Sequence, residues 1–519
     1  MGNRNALSID VGTQSVRAII FSQDGKIIAS EKIPYGEPYF SLKPGYSEQN
    51  VDYFYDKICE ACRKVKEKDE KSFDSIVGLS LSCFRDTPVI LDENYKPIRP
   101  AIMWLDQRRA KCEKNYPLLT RLMLFVSGMR KTADLNRKRT VANWLQENEP
   151  DNWSKMRHYW NISTYFIYRL TGSCFDTASS YTGHYPINMK KRRWQKPYEP
   201  TYPVFGVNPK FLPDLKLEGS ILGDITPRAE KETGIKAGAH LYSAAADKSC
   251  ETLGLGCIDS SLAAISYGTA CSVEMVNDKY KEPETFLPAY SSPVPGLYDM
   301  EVQVYRGYWM LEWFAKNFAS EEITTAVIEK IAVEEILNKK MLSIPPGSDG
   351  LILQPYWGPG LKRPLARGAI LGFSDFHTKI HLYRAIIEGI AYALKEGLDS
   401  IQKKAHKKVK GLMVSGGGSK SNAICQITAD IFNLPVSRVQ TYETASLGAA
   451  ITVFVSSGIY KDYTQAIACM VHKSDTFTPN KENVMIYRNL FNKVYKRIYP
   501  DIKQINYDIR KYTSSEDKE

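Results

Sequence analysis

The sequence predicts an α/β protein of more than one domain, on three observations. Its 519 residues are too many for one hydrophobic core, since cores stop growing at roughly 250–300 residues, so two large domains or three smaller ones are expected. From Leu7 to Ser82 the pattern reads strand, strand, strand, helix, strand, unlike the strand–helix alternation of a doubly wound dinucleotide fold. A strand, Gly-Thr turn, strand pattern near the start returns in the second half. Apolar residues at 43% and charged residues at 24% exclude wholesale disorder and collagen-like structure.

Taken in order, Leu7–Asp10 is a short apolar strand, Val11–Ser15 a polar turn and Val16–Phe21 a second strand, with Asp24-Gly25 turning the chain into Ile27–Ala29. Val51–Lys68 is an amphipathic helix whose apolar face takes in Cys59 and Cys62. With no second Cys or His pair at zinc-finger spacing, this C-x-x-C reads as packing rather than a metal or redox site. Ile76–Ser82 is an apolar strand, and Lys190–Pro213, dense in Lys, Arg, Pro and Tyr, an irregular excursion. Leu262–Val273 repeats Leu7–Val16, with Gly268-Thr269 standing where Gly12-Thr13 stands. Gly-Thr turns between strands are common, so the repeat alone leaves duplication and coincidence equally open. A boundary near Gly254–Cys257 would give domains 1–254 and 255–519. Beyond it come a long amphipathic helix, His381–Ala405, a strand, Gly411–Ser415, and two helices, Ala423–Phe432 and Ala445–Val455. The polar tail Thr513–Glu519 is expected to fray.

Lys and Arg number 69 against 58 Asp and Glu, a net charge of +11. The excess is expected to spread thinly over a large surface, which favours anions but argues little for nucleic acid. No apolar run approaches the roughly 18–20 residues that span a bilayer. Met1–Ala6 has no apolar signal core, and Ala6 spoils a myristoylation site. A soluble, cytoplasmic protein with neither nucleic-acid nor membrane partner is expected. Ten irregularly spaced cysteines read as reduced thiols, and seven scattered histidines without H-E-x-x-H give no structural metal site.

Phosphates need backbone N–H groups aimed at them, and glycine lets the backbone approach. Gly12-Thr13, Gly268-Thr269 and Gly416-Gly417-Gly418 each follow an apolar strand, and the third opens a helix. There is no G-x-x-x-x-G-K-[ST], so a P-loop is excluded. Two acidic residues close strands. Asp10 is suited to hold Mg2+ through water, and Asp247, after Leu241–Ala246, either accepts a hydroxyl proton during phosphoryl transfer or caps the following helix.

These residues resemble the FGGY carbohydrate kinases over nearly the whole chain. Asp10–Arg17 is similar to the family's first phosphate hairpin, Ala101–Arg109 to its tryptophan-and-arginine strand near the sugar, and Trp144–Pro150 to a helix of its xylulokinases. Asp247 matches the catalytic base and Ser266–Thr269 the second phosphate hairpin. Gly372-Phe373 through His381–Glu388, Ser415–Asn422 and Glu443–Ala450 complete the set in the family's order. The resemblance implies two actin-like (ribonuclease H-like) domains with ATP and sugar in the cleft between them. It makes Asp247 the base, Thr13, Arg17, Gly268 and Thr269 phosphate contacts, and Gly417, Gly418 and Asn422 the adenosine side, with Gly307 lining the same site. Arg85, Asp86, Trp104 and Asp106 are the implied substrate contacts and Asp10 the Mg2+ residue, while Lys248, for which the family offers no template, either makes a structural ion pair on its helix or enters the sugar pocket with Arg85 as a substrate contact.

The departures concern substrate. The xylulokinase Gln-Met-His-Gly segment is replaced by Ser82–Thr87, nearer to the glycerol kinase Gln-Arg-Glu-Thr, with Arg85 kept, Asp86 for Glu and Phe84 for Gln. Asn136 falls where glycerol kinase has a substrate tyrosine, and Lys248 follows the base where it has Gln. The expected activity is ATP- and Mg2+-dependent phosphorylation of a xylulose-like ketose or related sugar, with glycerol or another polyol, a sugar acid or an autoinducer-type molecule as alternatives. An actin-like ATPase or a degenerate, sugar-binding regulator are the competing readings; a homodimer stays open.

Overall fold

The computed structural model describes residues 4–113, 115–199, 201–284, 287–358, 360 and 363–513. Met1–Asn3 and Ser514–Glu519, on which the N-terminal and tail expectations partly fall, lie outside them. The chain divides into two compact units: Met1–Ile258 with Asn277–Asp299 and Glu443–His472, and Asp259–Val276 with Met300–Tyr442 and Lys473–Glu519.

In the first unit the principal strands are β1 (Asn5–Val11), β2 (Ser15–Ser22), β3 (Ile27–Pro34), β4 (Ile76–Cys83), β5 (Ile221–Asp224) and β6 (His240–Ala246), in the sheet order β5-β6-β4-β1-β2-β3. β1 is buried along its whole length, which explains a strand with no polar alternation. It runs antiparallel to β2 and parallel to β4, which is itself parallel to β6. The Val51–Lys68 helix packs Phe54, Tyr55, Ile58, Cys59, Cys62 and Val65 inward, and the Asn50 side chain accepts from the Asp52 N–H to cap it. Both cysteines of the C-x-x-C are therefore core residues.

The second unit repeats this plan. Its principal strands are β7 (Leu262–Tyr267), β8 (Cys271–Asn277), β9 (Tyr298–Val304), β10 (Gly411–Gly416), β11 (Val436–Val439) and β12 (Lys473–Phe477), which follow one another in the sheet as β9-β8-β7-β10-β11-β12. β7 runs antiparallel to β8 and parallel to β10, and β10 parallel to β11. The same hairpin beside the same parallel neighbour in both units resolves the duplication in favour of a repeated, actin-like α/β plan. A capping box at Thr378 and His381 starts the 27-residue Lys379–Ala405 helix.

Two segments far along the chain belong to the first unit, and glycine is what admits one of them. The Thr444–Ser456 helix lies against the Asp247–Gly254 helix so closely that a Cβ on Gly254 would meet the Thr444 carbonyl oxygen at 1.9 Å, and one on Gly448 the Cys250 carbonyl oxygen at 1.9 Å. The tryptophan-and-arginine strand is shorter than expected: it ends at Ile102, and the residues from Met103 onward turn around Asp106.

Candidate active site

The first unit gathers its acidic residues at one end of three parallel strands. Asp10 pairs with Ser82 in the β1–β4 register, Val11 with Cys83, and Ala246 of β6 also with Cys83. Asp10 and Asp247 thus emerge at the carboxyl ends of the two strands that flank β4, where open α/β sheets collect ligands. Asp10 is buried; its carboxylate accepts from Ser82 Oγ at 3.1 Å and from Arg17 Nη1 at 3.1 Å. Desolvation pushes its carboxyl up to about 6, against the pull of Arg17 and with the help of Asp247. Arg17 is held from both sides, its Nε lying 3.0 Å from Glu443 Oε2.

Asp247 is the first residue of its helix, Ala246 being the N-cap. Its Oδ1 accepts the Lys248 N–H at 2.8 Å. Burial raises its carboxyl above the ordinary range, with Lys248 and Arg85 opposing. The Lys248 ammonium lies 3.0 Å from Glu251 Oε2, one helical turn on.

A histidine 98 residues along the chain pairs with Asp86. His184 Nδ1 meets Asp86 Oδ2 at 2.6 Å, and Thr182 Oγ1 donates to Asp86 Oδ1 at 3.2 Å. Asp86 sits in the left-handed region, φ 63°. Burial would raise the Asp86 carboxyl, but His184 outweighs it and holds it below the carboxylate range. Burial likewise opposes charge on His184, yet Asp86 lifts it above the imidazole range while Arg139 pulls the other way. Arg85 places its guanidinium over the Tyr290 ring, 4.4 Å from the centroid. Trp104 Nε1 donates to Thr13 Oγ1 at 3.1 Å.

In the second unit the expected phosphate and adenosine segments are rich in glycine and offer backbone. Gly416 has φ +79°, and its Cβ would sit 2.6 Å from the Tyr267 carbonyl oxygen; a Cβ on Gly418 would enter the Tyr308 ring at 1.9 Å. Between them a Cβ on Gly417 would meet nothing within 4 Å, so its backbone faces open space. The Tyr308 and Trp309 N–H groups donate to the carbonyls of Gly268 and Thr269 at 3.1 and 3.2 Å. Gly307 backs against Cys271, where a Cβ would come within 2.4 Å of its nitrogen. Asn422 is exposed at the start of the Asn422–Phe432 helix, beside a cavity of about 310 Å³ lined by Ile344, Pro345, Ala423, Gln426, Ile427 and Asn483.

Models of the two domains of one kinase family match in sequence: the N-terminal domain of the FGGY family of carbohydrate kinases over residues 5–254 and its C-terminal domain over 263–457. The chain belongs to the FGGY family of carbohydrate kinases. It is 28% identical to an uncharacterized sugar kinase of Escherichia coli K12 over 498 residues, 96% of this chain and 93% of that one. It is 27% identical to a xylulose kinase of Lactococcus lactis over 514 residues, 97% and 98% of the two chains. The ligand-bound crystal structure of xylulose kinase from Lactobacillus acidophilus superposes with a TM-score of 0.80 at 21% identity, covering 97% of this chain and 99% of that one.

As an FGGY kinase the protein is an ATP-dependent carbohydrate kinase, and the residues expected at its site can be located in the structure. Asp10, Arg17, Arg85, Asp86, Asp247 and Lys248 fall in the strand-end cluster of the first unit or its immediate surroundings, and Thr13 is tied to Trp104. Asp106 has another occupation. Its carboxylate accepts from Arg108 Nε and Nη2 at 2.8 and 2.7 Å and from the Ser47 N–H at 2.6 Å. Arg108 in turn stacks over Tyr46 and Trp144, so Asp106 anchors the loop that presents Trp104. Gly268, Thr269, Gly307, Gly417, Gly418 and Asn422 all belong to the second unit. Sequence reasoning missed His184 and Arg139, which carry no motif, and gave Glu443 no role although it quoted the segment.

Proposed function

We propose that this kinase transfers the γ-phosphoryl of ATP to a hydroxyl of a small sugar, a xylulose-like ketose or a related sugar or polyol, with Asp247 as general base. The observation that carries this reading is the environment of Asp247: a half-buried carboxyl at a strand end, raised above its ordinary range by desolvation and so closer to working pH, where a base is most effective. The hydroxyl proton passes to Asp247, its oxygen bonds to the γ-phosphorus, and the bond from that phosphorus to the ADP oxygen breaks. Arg85, Asp86 and Trp104 orient the acceptor. Residues 1–254 supply the acceptor side and 255–519 the nucleotide side, where the Gly268-Thr269 turn and Gly417 offer backbone to phosphates and Asn422 flanks the adenosine.

Asp10 suits Mg2+. Desolvation, with Asp247 and Glu443 adding to it, holds Asp10 up to about 6, a cost that a divalent cation would relieve, and Mg2+ commonly needs only one or two carboxylates beside its waters and phosphates. When bound, the ion supplies neutralisation of phosphate charge. A second reading, a sugar-acid acceptor, is favoured by one observation: Arg85 and a His184 lifted toward its cation lie beside Asp86, with Arg139 near His184, a cationic surrounding that suits a carboxylate. ADP release measured over ketopentoses, ketohexoses, aldonic acids, glycerol and other polyols decides between them. Turnover with a ketose supports the first reading and with an aldonate the second, while ATP hydrolysis indifferent to any acceptor removes both.

A further inference from the structure

The helix Leu118–Val126 has two apolar faces. Its inner face, Thr120 and Leu124, joins a small core of Tyr116, Met129, Ala133, Val204 and Phe205. Its outer face carries Leu118, Leu119, Leu122, Met123, Phe125 and Val126, all exposed, with Leu118, Phe125 and Val126 at 79, 76 and 77%. At about 100° per residue these six side chains cover an arc of about 160°, centred opposite the buried pair. Among the described residues none covers them, and an apolar face this continuous marks an interaction site.

Charge identifies what the face fits. Residues 111–139 hold eight Lys or Arg against two Asp or Glu, so more than half of the net +11 sits in this one stretch instead of being spread thinly. Arg121 lies on the helix itself, and Arg130, Lys131 and Lys138 on the next one, Arg130–Arg139, are exposed. A second copy meeting this face across a two-fold axis would set one basic stretch against the other. An anionic surface meets both requirements: apolar side chains enter the acyl boundary while the flanking cations sit at the headgroups. We propose that the Leu118–Val126 helix and its basic flank adsorb the protein to anionic phospholipid bilayers. The expectation of no membrane partner rested on the lack of a spanning segment. Among the described residues no helix is long and apolar enough to cross a membrane, but adsorption needs none.

The test is co-sedimentation of the full chain with vesicles of phosphatidylcholine alone or with about one-third phosphatidylserine. Binding is expected to be at least about tenfold stronger to the anionic vesicles and to fall steeply with salt. Leu122→Ser with Phe125→Ser, and separately Arg130→Glu with Lys131→Glu, should each weaken it about tenfold without changing the circular dichroism or the thermal midpoint. Equal binding to both vesicles, or anionic binding untouched by either pair, overturns the proposal. So does light scattering in which the face holds two copies together, with Phe125→Ser restoring the monomer while vesicles stay unbound.

Discussion

The two units share one strand plan and divide the chemistry. In the first, the residue two places before the hairpin glycine is Asp10, paired with Ser82 of the parallel neighbour; in the second it is Ser266, paired with Ser415. The scaffold position is the same, yet one holds a carboxylate and the other a hydroxyl. The parallel strand beside the hairpin in the first unit, β4, runs into Phe84-Arg85-Asp86, whereas its counterpart in the second, β10, runs into Gly416-Gly417-Gly418. One half collects charge and the other bare backbone. A duplicated sheet offers equivalent strand ends, and the residues placed there decide whether an end handles a proton or cradles an anion.

The comparison breaks most visibly at Asp247. Asp247→Asn keeps the size of the side chain and removes its basicity, so kcat in the ADP-release assay should fall by about 10²–10⁴-fold with the KM for ATP little changed. A variant retaining a tenth of wild-type turnover would remove the base from the first unit. The counterpart in the second unit is Gly417→Val. Since a Cβ there meets nothing within 4 Å, the fold should tolerate it and the effect should fall on the ligand: a KM for ATP raised about tenfold or more, with acceptor KM nearly constant. An unchanged KM for ATP would take this glycine away from the nucleotide.

How much of this was legible in the sequence follows the range of the interactions. The Val51–Lys68 helix was readable to the residue because its start cap, apolar spacing and charged end are local. Both hairpins were readable because Asp24-Gly25 and the Gly-Thr turns sit between apolar runs. The shortened strand at Ala101–Ile102 was not, since it stops where Asp106 meets Arg108 and Ser47, and Ser47 lies 59 residues away. His184 could not be found from spacing either. It is separated from Asp86 by 98 residues, and a solitary histidine gives no period or motif to read. Joining Glu443–His472 to the first unit needed the glycine contact between two helices, a tertiary fact with only Gly254 and Gly448 as its trace.

The acceptor side can be sharpened through the Asp86–His184 pair. His184 is raised, so its charged contribution is complete at low pH and is lost as pH rises through its elevated value; Asp86 is depressed, so its contribution is lost only as pH falls through that lowered value. The pair is intact between the two, with Arg85 and Arg139 as the neighbouring charges that shape it. The acceptor KM of the wild type should therefore climb as pH is raised through the elevated His184 value. His184→Gln should raise the acceptor KM about threefold to tenfold at neutral pH and flatten that climb. The same slope in variant and wild type would show that something other than this pair sets it.

The smallest effect is expected at Lys248. Its position next to the base admits two roles, a cation facing the acceptor or half of a structural ion pair. The geometry favours the second: Nζ lies 3.0 Å from Glu251 Oε2, with the two side chains only 18 and 12% exposed, so the ammonium is committed within its own helix. Lys248→Met keeps the length and deletes the charge, leaving Glu251 largely buried without this partner. Stability should drop by about 1–2 kcal/mol in a denaturant titration, while acceptor KM and kcat shift by less than about threefold, because Asp247 keeps its accepted backbone N–H from residue 248 whatever the side chain. An acceptor KM raised tenfold at unchanged stability would reverse the assignment. It would place a second fixed cation with Arg85 against the substrate, and a sugar acid would then be the acceptor to test first.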